Sequence, residues 1–153
     1  ANGIQALDLM ARKVVGSQGK LYELFAEDMA AFIEKEQGNP ALAPFLSPLA
    51  AALERLSDVT EQVLEQAKDD PDAPGAASAD YTNLFGMTAL ALMWAKMVVA
   101  AAPSAESDSS GFYSGKLKTA HFYFRRMLPQ SVALAESVRS GSGSMMQHAD
   151  NEF

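Results

Sequence analysis

The chain has no cysteine among its 153 residues and only two histidines, His121 and His148. The first absence excludes a disulfide framework, a thiol nucleophile and any cysteine-ligated metal. The second, with the two rings far apart and no Glu-x-x-His pattern near them, leaves no metal-ligand spacing. Positive charge is scarce as well. Twelve Lys and Arg stand against 19 Asp and Glu, for a formal net charge of -7 and a pI near 4.7. Nucleic acids and anionic membranes select clustered Lys and Arg, so this balance argues against both. A Gly-rich phosphate loop, a Gly-x-Ser-x-Gly elbow and a paired-acid arrangement are also missing. The start carries no basic stretch followed by an apolar run and a cleavage site, so it does not read as a secretory signal, and the lack of cysteine is compatible with a cytoplasmic protein.

What is present is helical. The chain is 48% hydrophobic and 20% charged, enough apolar material for one domain to bury a core without staples. Apolar residues recur at helical spacing among abundant Ala, Leu, Met, Glu and Lys, and nothing alternates with period two. The pattern predicts an all-α, up-down bundle of about four long helices preceded by a short N-terminal helix. The short helix begins at the capping residue Asn2, carries the stripe Ile4, Leu7, Met10, Val14, and ends at Gly16-Ser17-Gln18-Gly19. A second runs from Lys20 to the Gly38-Asn39-Pro40 stop. A third starts between Pro40 and Ala43, with Pro44 and Pro48 in or near its first turn, and continues to Ala67. Residues 69–75, rich in Asp and Pro, read as a loop. The fourth helix, Leu84 to Ala102, has Lys96 as its one charge. It is long enough to cross a bilayer, but its alanine content and the lack of flanking basic clusters suit a helix enclosed by partners. A Ser-rich linker over 103–111 leads to a last segment, Phe112 to Arg139, divided at Pro129. Residues 141–153 form a flexible or docking tail.

Three groups of side chains raise the question of chemistry. Lys116, Lys118, His121, Arg125 and Arg126 form the one basic cluster, with Lys118, His121 and Arg125 sharing a helical face. It could take a phosphate, and a solvated or inter-domain face is the competing reading. Glu54, Asp58, Glu61 and Glu65 recur along one side of the third helix, the geometry of a solvated acidic stripe. Trp94, Phe112, Tyr113, Phe122, Tyr123 and Phe124 fit core and interface anchoring, with an acyl-chain lining as the alternative.

Two stretches carry a family resemblance. Asn2-Gly3-Ile4-Gln5-Ala6-Leu7-Asp8-Leu9-Met10-Ala11-Arg12-Lys13 resembles the strip that follows, in FAD-dependent acyl-CoA dehydrogenases, a Tyr-Glu-Gly-Thr segment bearing the glutamate that abstracts the substrate α-proton. Phe112-x-x-Gly115-Lys116-x-x-Thr119-Ala120-x-Phe122-Tyr123 resembles a helix in the C-terminal extension of one subgroup, which includes the enzymes acting on 3-methylmercaptopropionyl-CoA. The resemblance implies the C-terminal portion of a larger oxidoreductase of fatty acid type metabolism, with residues 1–16 the last helix of its catalytic helical domain, 17–140 an added bundle, and 141–153 a tail. It implies FAD in the parent, an acyl-CoA substrate, a homo-oligomer, and no catalytic residue in this portion. Cofactor-facing positions map to Asn2, Gly3 and Gln5, and the helix cap is the competing reading for them. Relatives often carry glutamine where Gly3 stands, which removes a side-chain contact, and Ala1 occupies the place of a threonine. A free-standing helical interaction module is the rival reading of the whole chain.

Overall fold

The computed structural model describes residues 2–149 and 152, Asn2 through its backbone alone. Ala1 and Phe153 therefore lie outside the described residues, as does the Asn2 side chain. Among the described residues the chain is helical throughout, without a strand. Helix α1 (Asn2–Leu7) passes without a break into a π-helical stretch (Asp8–Val15). The Asp8 carboxylate meets both Arg12 and Lys13. Met10 and Val14 turn inward and are buried, while Ile4 is 74% exposed.

The chain reverses at Gln18 and Gly19, whose φ angles are +55° and +84°. Glycine reaches this left-handed region without a Cβ clash. A Cβ at Gly19 would also sit 3.0 Å from Leu64 Cδ1. Gly19→Ala is therefore expected to destabilise the chain by about 1–2 kcal/mol, measured as a lower denaturation midpoint with an unchanged slope.

Helix α2 (Lys20–Lys35) is amphipathic and places Tyr22 and Met29 in the core. Its exit is fixed by Asn39, whose side chain accepts the Ala41 N–H at 3.0 Å and donates to the Glu36 carboxylate at 2.8 Å. A single 3-10 turn (Pro40–Leu42) leads into α3 (Ala43–Gln66), which keeps Pro44 in its first turn and carries Pro48 inside. The Tyr22 hydroxyl is 2.6 Å from the Ser57 hydroxyl, joining the start of α2 to the second half of α3.

Helix α4 spans Ala73–Ala101, so it begins well before Leu84. The Asp-Pro-Asp-Ala-Pro-Gly stretch reads as loop, yet Pro74 falls in the first turn, where its missing N–H has no intrahelical partner to lose. The Ser78 and Thr82 hydroxyls donate back to the carbonyls of Gly75 and Ser78. This helix packs against α1, α3, α5 and α6. That central position accounts for one side of the helix, where Tyr81, Leu84, Thr88, Ala91, Leu92, Ala95 and Val98 are all buried, while Leu90 and Met93 stay exposed. The buried polar side chains Ser78, Tyr81 and Thr88 are all satisfied. Thr88 donates to the Leu84 carbonyl, and the Tyr81 hydroxyl lies 2.7 Å from Thr60.

The linker is tied rather than loose. Asp108 accepts the Ser110 N–H, the Ser110 hydroxyl and the Tyr113 N–H, and so anchors the start of α5 (Phe112–Phe122). Those hydrogen bonds hold its carboxyl below the ordinary aspartate range. A carboxyl depressed on folding contributes above its unfolded pKa of about 4 and loses that contribution as the pH falls through its folded value. Fraying at 108–113 on acidification, absent at neutral pH, is the expected hydrogen-exchange result.

The division expected at Pro129 is spread over eight residues. A π-helical turn (Tyr123–Met127) and a 3-10 turn (Leu128–Gln130) come between α5 and α6 (Ser131–Arg139). Ser142 then donates to Asp70, which pins the chain before the short α7 (Gly143–Met146) to the loop between α3 and α4.

Candidate functional site

Gly3 and Gln5 open onto solvent. With Ala6, Ala79, Thr82 and Asn83 they line a groove of about 360 Å³. Thr82 and Asn83 also belong to a second groove of about 680 Å³, completed by Gly86, Met87, Leu90, Gln130, Ala133 and Leu134. The two form one uncharged depression along α4, between α1 and α6. Its polar groups are the amides of Gln5, Asn83 and Gln130 and the hydroxyl of Thr82. These can donate and accept hydrogen bonds, but none can act as a general base at neutral pH.

The exposed line of α4 continues this character. Ala79, Asn83, Gly86, Leu90, Met93, Met97 and Ala100 succeed one another at three- and four-residue steps, with Gly86 and Met97 half-buried and Leu90 and Met93 52% and 43% exposed. An uncharged stripe that long is unusual on an acidic domain. Contiguous apolar surface of this kind marks an interaction face.

The titratable tyrosines are structural. Burial raises the Tyr81 hydroxyl, opposed by its bond to Thr60, and burial likewise raises Tyr22 against its bond to Ser57. Tyr123 donates to the Met87 carbonyl at 2.7 Å, and burial raises it too. Each ties two helices together. Among the described residues there is no group of three or more His, Asp or Glu arranged to hold a metal ion.

The structure places the basic cluster on the outer side of α5 and the π-helical turn. Lys118, His121, Arg125 and Arg126 are exposed, and the His121 ring stacks on Phe45 with centroids 4.7 Å apart. Lys116 lies over the Phe112 ring at 5.1 Å. The aromatic residues divide: Tyr123 and Phe124 enter the core, whereas Phe112 and Phe122 remain 60% and 58% exposed. The carboxylates Glu54, Asp58, Glu61 and Glu65 are exposed along α3. The α4–α6 groove was not visible in the sequence, because it arises where α6 falls short of covering α4. Only the run of Gly86, Met87 and Leu90 on the apolar helix hinted at it.

The described residues form an all-helical domain with an uncharged face along α4. The chain belongs to the family described as Acetyl-CoA dehydrogenase C-terminal like, which matches residues 25–149. It is similar to 3-methylmercaptopropionyl-CoA dehydrogenase of Ruegeria pomeroyi, at 29% identity over 147 residues, 94% of this chain and 25% of the relative. The chain thus spans about a quarter of the length of that curated relative.

Proposed function

We propose that this chain is the C-terminal helical domain of an FAD-dependent acyl-CoA dehydrogenase, where it supports assembly and supplies no catalytic group. The observation that carries the reading is the uncharged face of α4 with its flanking grooves, on a chain whose relative is about four times as long. The catalytic body is the occupant of that face. In this reading residues 1–16 end the catalytic helical domain, 17–140 form the added bundle in up-down order, and 141–153 form a docking tail. Met10 and Val14, buried against α2, α3 and α4, lock the first unit onto the second. The up-down order is supported by reversed pairings: Tyr22 with Ser57, Thr60 with Tyr81, and Met87 with Tyr123. The parent acts in the cytoplasm as a homo-oligomer.

The groove at the cofactor-facing positions does not by itself fit a resident flavin. Gly3, Gln5, Ala6, Ala79, Thr82 and Asn83 provide no cation for a pyrophosphate and no aromatic ring against an isoalloxazine. In the proposal Asn2, Gly3 and Gln5 contribute an edge contact to FAD held by the rest of the parent. Removal of the α-proton and transfer of the β-hydride take place there as well.

The test is direct. The purified chain is expected to be helical and colourless, and to leave an electron acceptor unreduced with any acyl-CoA. Tight retention of yellow FAD, or turnover, contradicts the proposal.

A further inference from the structure

Four cations of the last long segment are short of partners. Lys116, Lys118, Arg125 and Arg126 lie within residues 109–135, which hold no Asp or Glu, and residues 37–53 and 81–105 hold none either. Among the described residues none of the four forms an ion pair. The other eight Lys and Arg share the rest of the chain with all 19 carboxylates. This end is a local positive exception on an acidic surface.

Between these cations runs a strip of a different kind. Phe112, Gly115, Thr119, Phe122 and Arg126 succeed one another at steps of three and four residues, so they share one side of α5 and the turn that follows it. That side is turned to solvent: Phe112 and Phe122 are 60% and 58% exposed, and Thr119 and Arg126 are exposed as well. Lys116 edges the strip at its start, over the Phe112 ring at 5.1 Å, while Lys118 and Arg125 stand one turn before and after Phe122. The middle of the strip is low. A Cβ at Gly115 would meet nothing within 4 Å, and the Thr119 hydroxyl is turned back to donate to the Gly115 carbonyl at 2.9 Å. The φ angle at Gly115 is not positive. Glycine is the least favourable residue of a helix interior after proline, and neither the backbone nor the packing of this chain asks for it here. A bare backbone between two outward phenyl rings suits the close approach of another molecule.

We propose that this strip docks an acidic helix of a separate protein, which lays small and apolar residues over Gly115 between the two rings and reaches the flanking cations with carboxylates. The charge selects the partner. Four unpaired cations with no acid among them call for a concentrated run of Asp and Glu, and apolar side chains are needed to cover Phe112 and Phe122. A bilayer of anionic lipid fits less well, because it draws the rest of an acidic chain toward like charge, and a fluid surface has no use for a missing Cβ. The uncharged face of α4 has the character of a lasting contact, whose centre is depleted of charge. The α5 strip, edged by cations, has that of a fast and salt-sensitive encounter. The inference goes beyond the parent-enzyme reading and stands without it, since every group it uses lies on this chain.

The probe is a fluorescein-labelled helical peptide of about 18 residues, five turns, with Ala and Leu along one side and Glu on both flanks. Anisotropy is expected to show binding to the chain at about 0.05 M salt that weakens about tenfold or more by about 0.3 M. The same peptide with Lys in place of Glu should not bind. Phe122→Ala, and separately Arg125→Glu with Arg126→Glu, should each cost about tenfold or more in affinity. Gly115→Leu is the sharper variant. It restores helix propensity, so the melting temperature holds or rises, while its side chain fills the saddle and binding is lost; Gly115→Ala acts in the same two directions with smaller size. An acidic peptide that stays free at low salt overturns the proposal, as does equal binding of the Lys peptide. So does a Gly115→Leu chain that binds like the native one, or a Gly115→Ala chain that melts lower. Binding to phosphatidylserine vesicles in preference to the peptide, lost in the Phe122 and Arg126 variants, assigns the strip to a membrane and overturns it too.

Discussion

Replacing Leu84 by alanine lowers the stability of the chain by about 3 kcal/mol, and its melting temperature by about 6–12 °C for a domain of this size. Leu84 is fully buried on the central helix, within the cluster that includes Met10, Val14, Tyr22, Leu56, Val59 and Tyr81. Truncation removes the transfer energy of its methyl-bearing branch and leaves a hole that helices from four directions cannot close together. The cost is large because a native domain is held by only about 5–15 kcal/mol in all. Thermal denaturation of the isolated chain measures it. A shift no larger than that of an exposed control such as Leu90→Ala would show that α4 is not the core of the fold.

The second large effect concerns the uncharged face and separates folding from docking. Leu90→Asp with Met93→Asp should leave the isolated chain folded and its melting curve nearly unchanged, because both side chains are about half exposed there. In the proposed full-length parent the same pair would put two carboxylates into the proposed contact with the catalytic body. An unpaired charge taken out of water costs about 3–5 kcal/mol. The domain should then come away from the body, read as rapid proteolytic release of a helical fragment and a new low-temperature unfolding transition. An unaltered parent would mean that the face is not where the body sits.

Much of the fold was legible in the sequence, and the reasons are physical. Apolar residues at helical spacing on α2 and α3 need a single buried side, and that side is what the structure buries. The all-round apolar α4 pointed to enclosure, and the structure packs it against α1, α3, α5 and α6 but leaves Leu90 and Met93 exposed. Its first third escaped notice because proline, glycine and aspartate normally punctuate loops, whereas here Pro74 sits where a helix tolerates it. The break near Pro129 was legible as an interruption. Its form, a π-helical turn followed by a 3-10 turn, depends on seating Tyr123, Phe124 and Leu128 together in the core.

The candidate site was less legible. Grooves are made by what neighbouring helices leave uncovered, and periodicity within one helix does not register that. The basic cluster and the acidic stripe were each visible as spacings. The register of the helices that carry them required Phe45 against His121 and Arg55 against Ser131, contacts between residues 76 positions apart in both cases. The resemblance carried by Asn2–Lys13 and Phe112–Tyr123 agrees with the family match, while the cofactor-facing roles of Asn2, Gly3 and Gln5 remain part of the proposal.

The central claim is that this bundle is one domain of a larger dehydrogenase. The most direct measurement is the mass of the native polypeptide that contains it, by immunoblot of the source cells with an antibody raised against the chain. The account predicts a single band about four times the 16.3 kDa of the chain. A band at 16.3 kDa alone would contradict it.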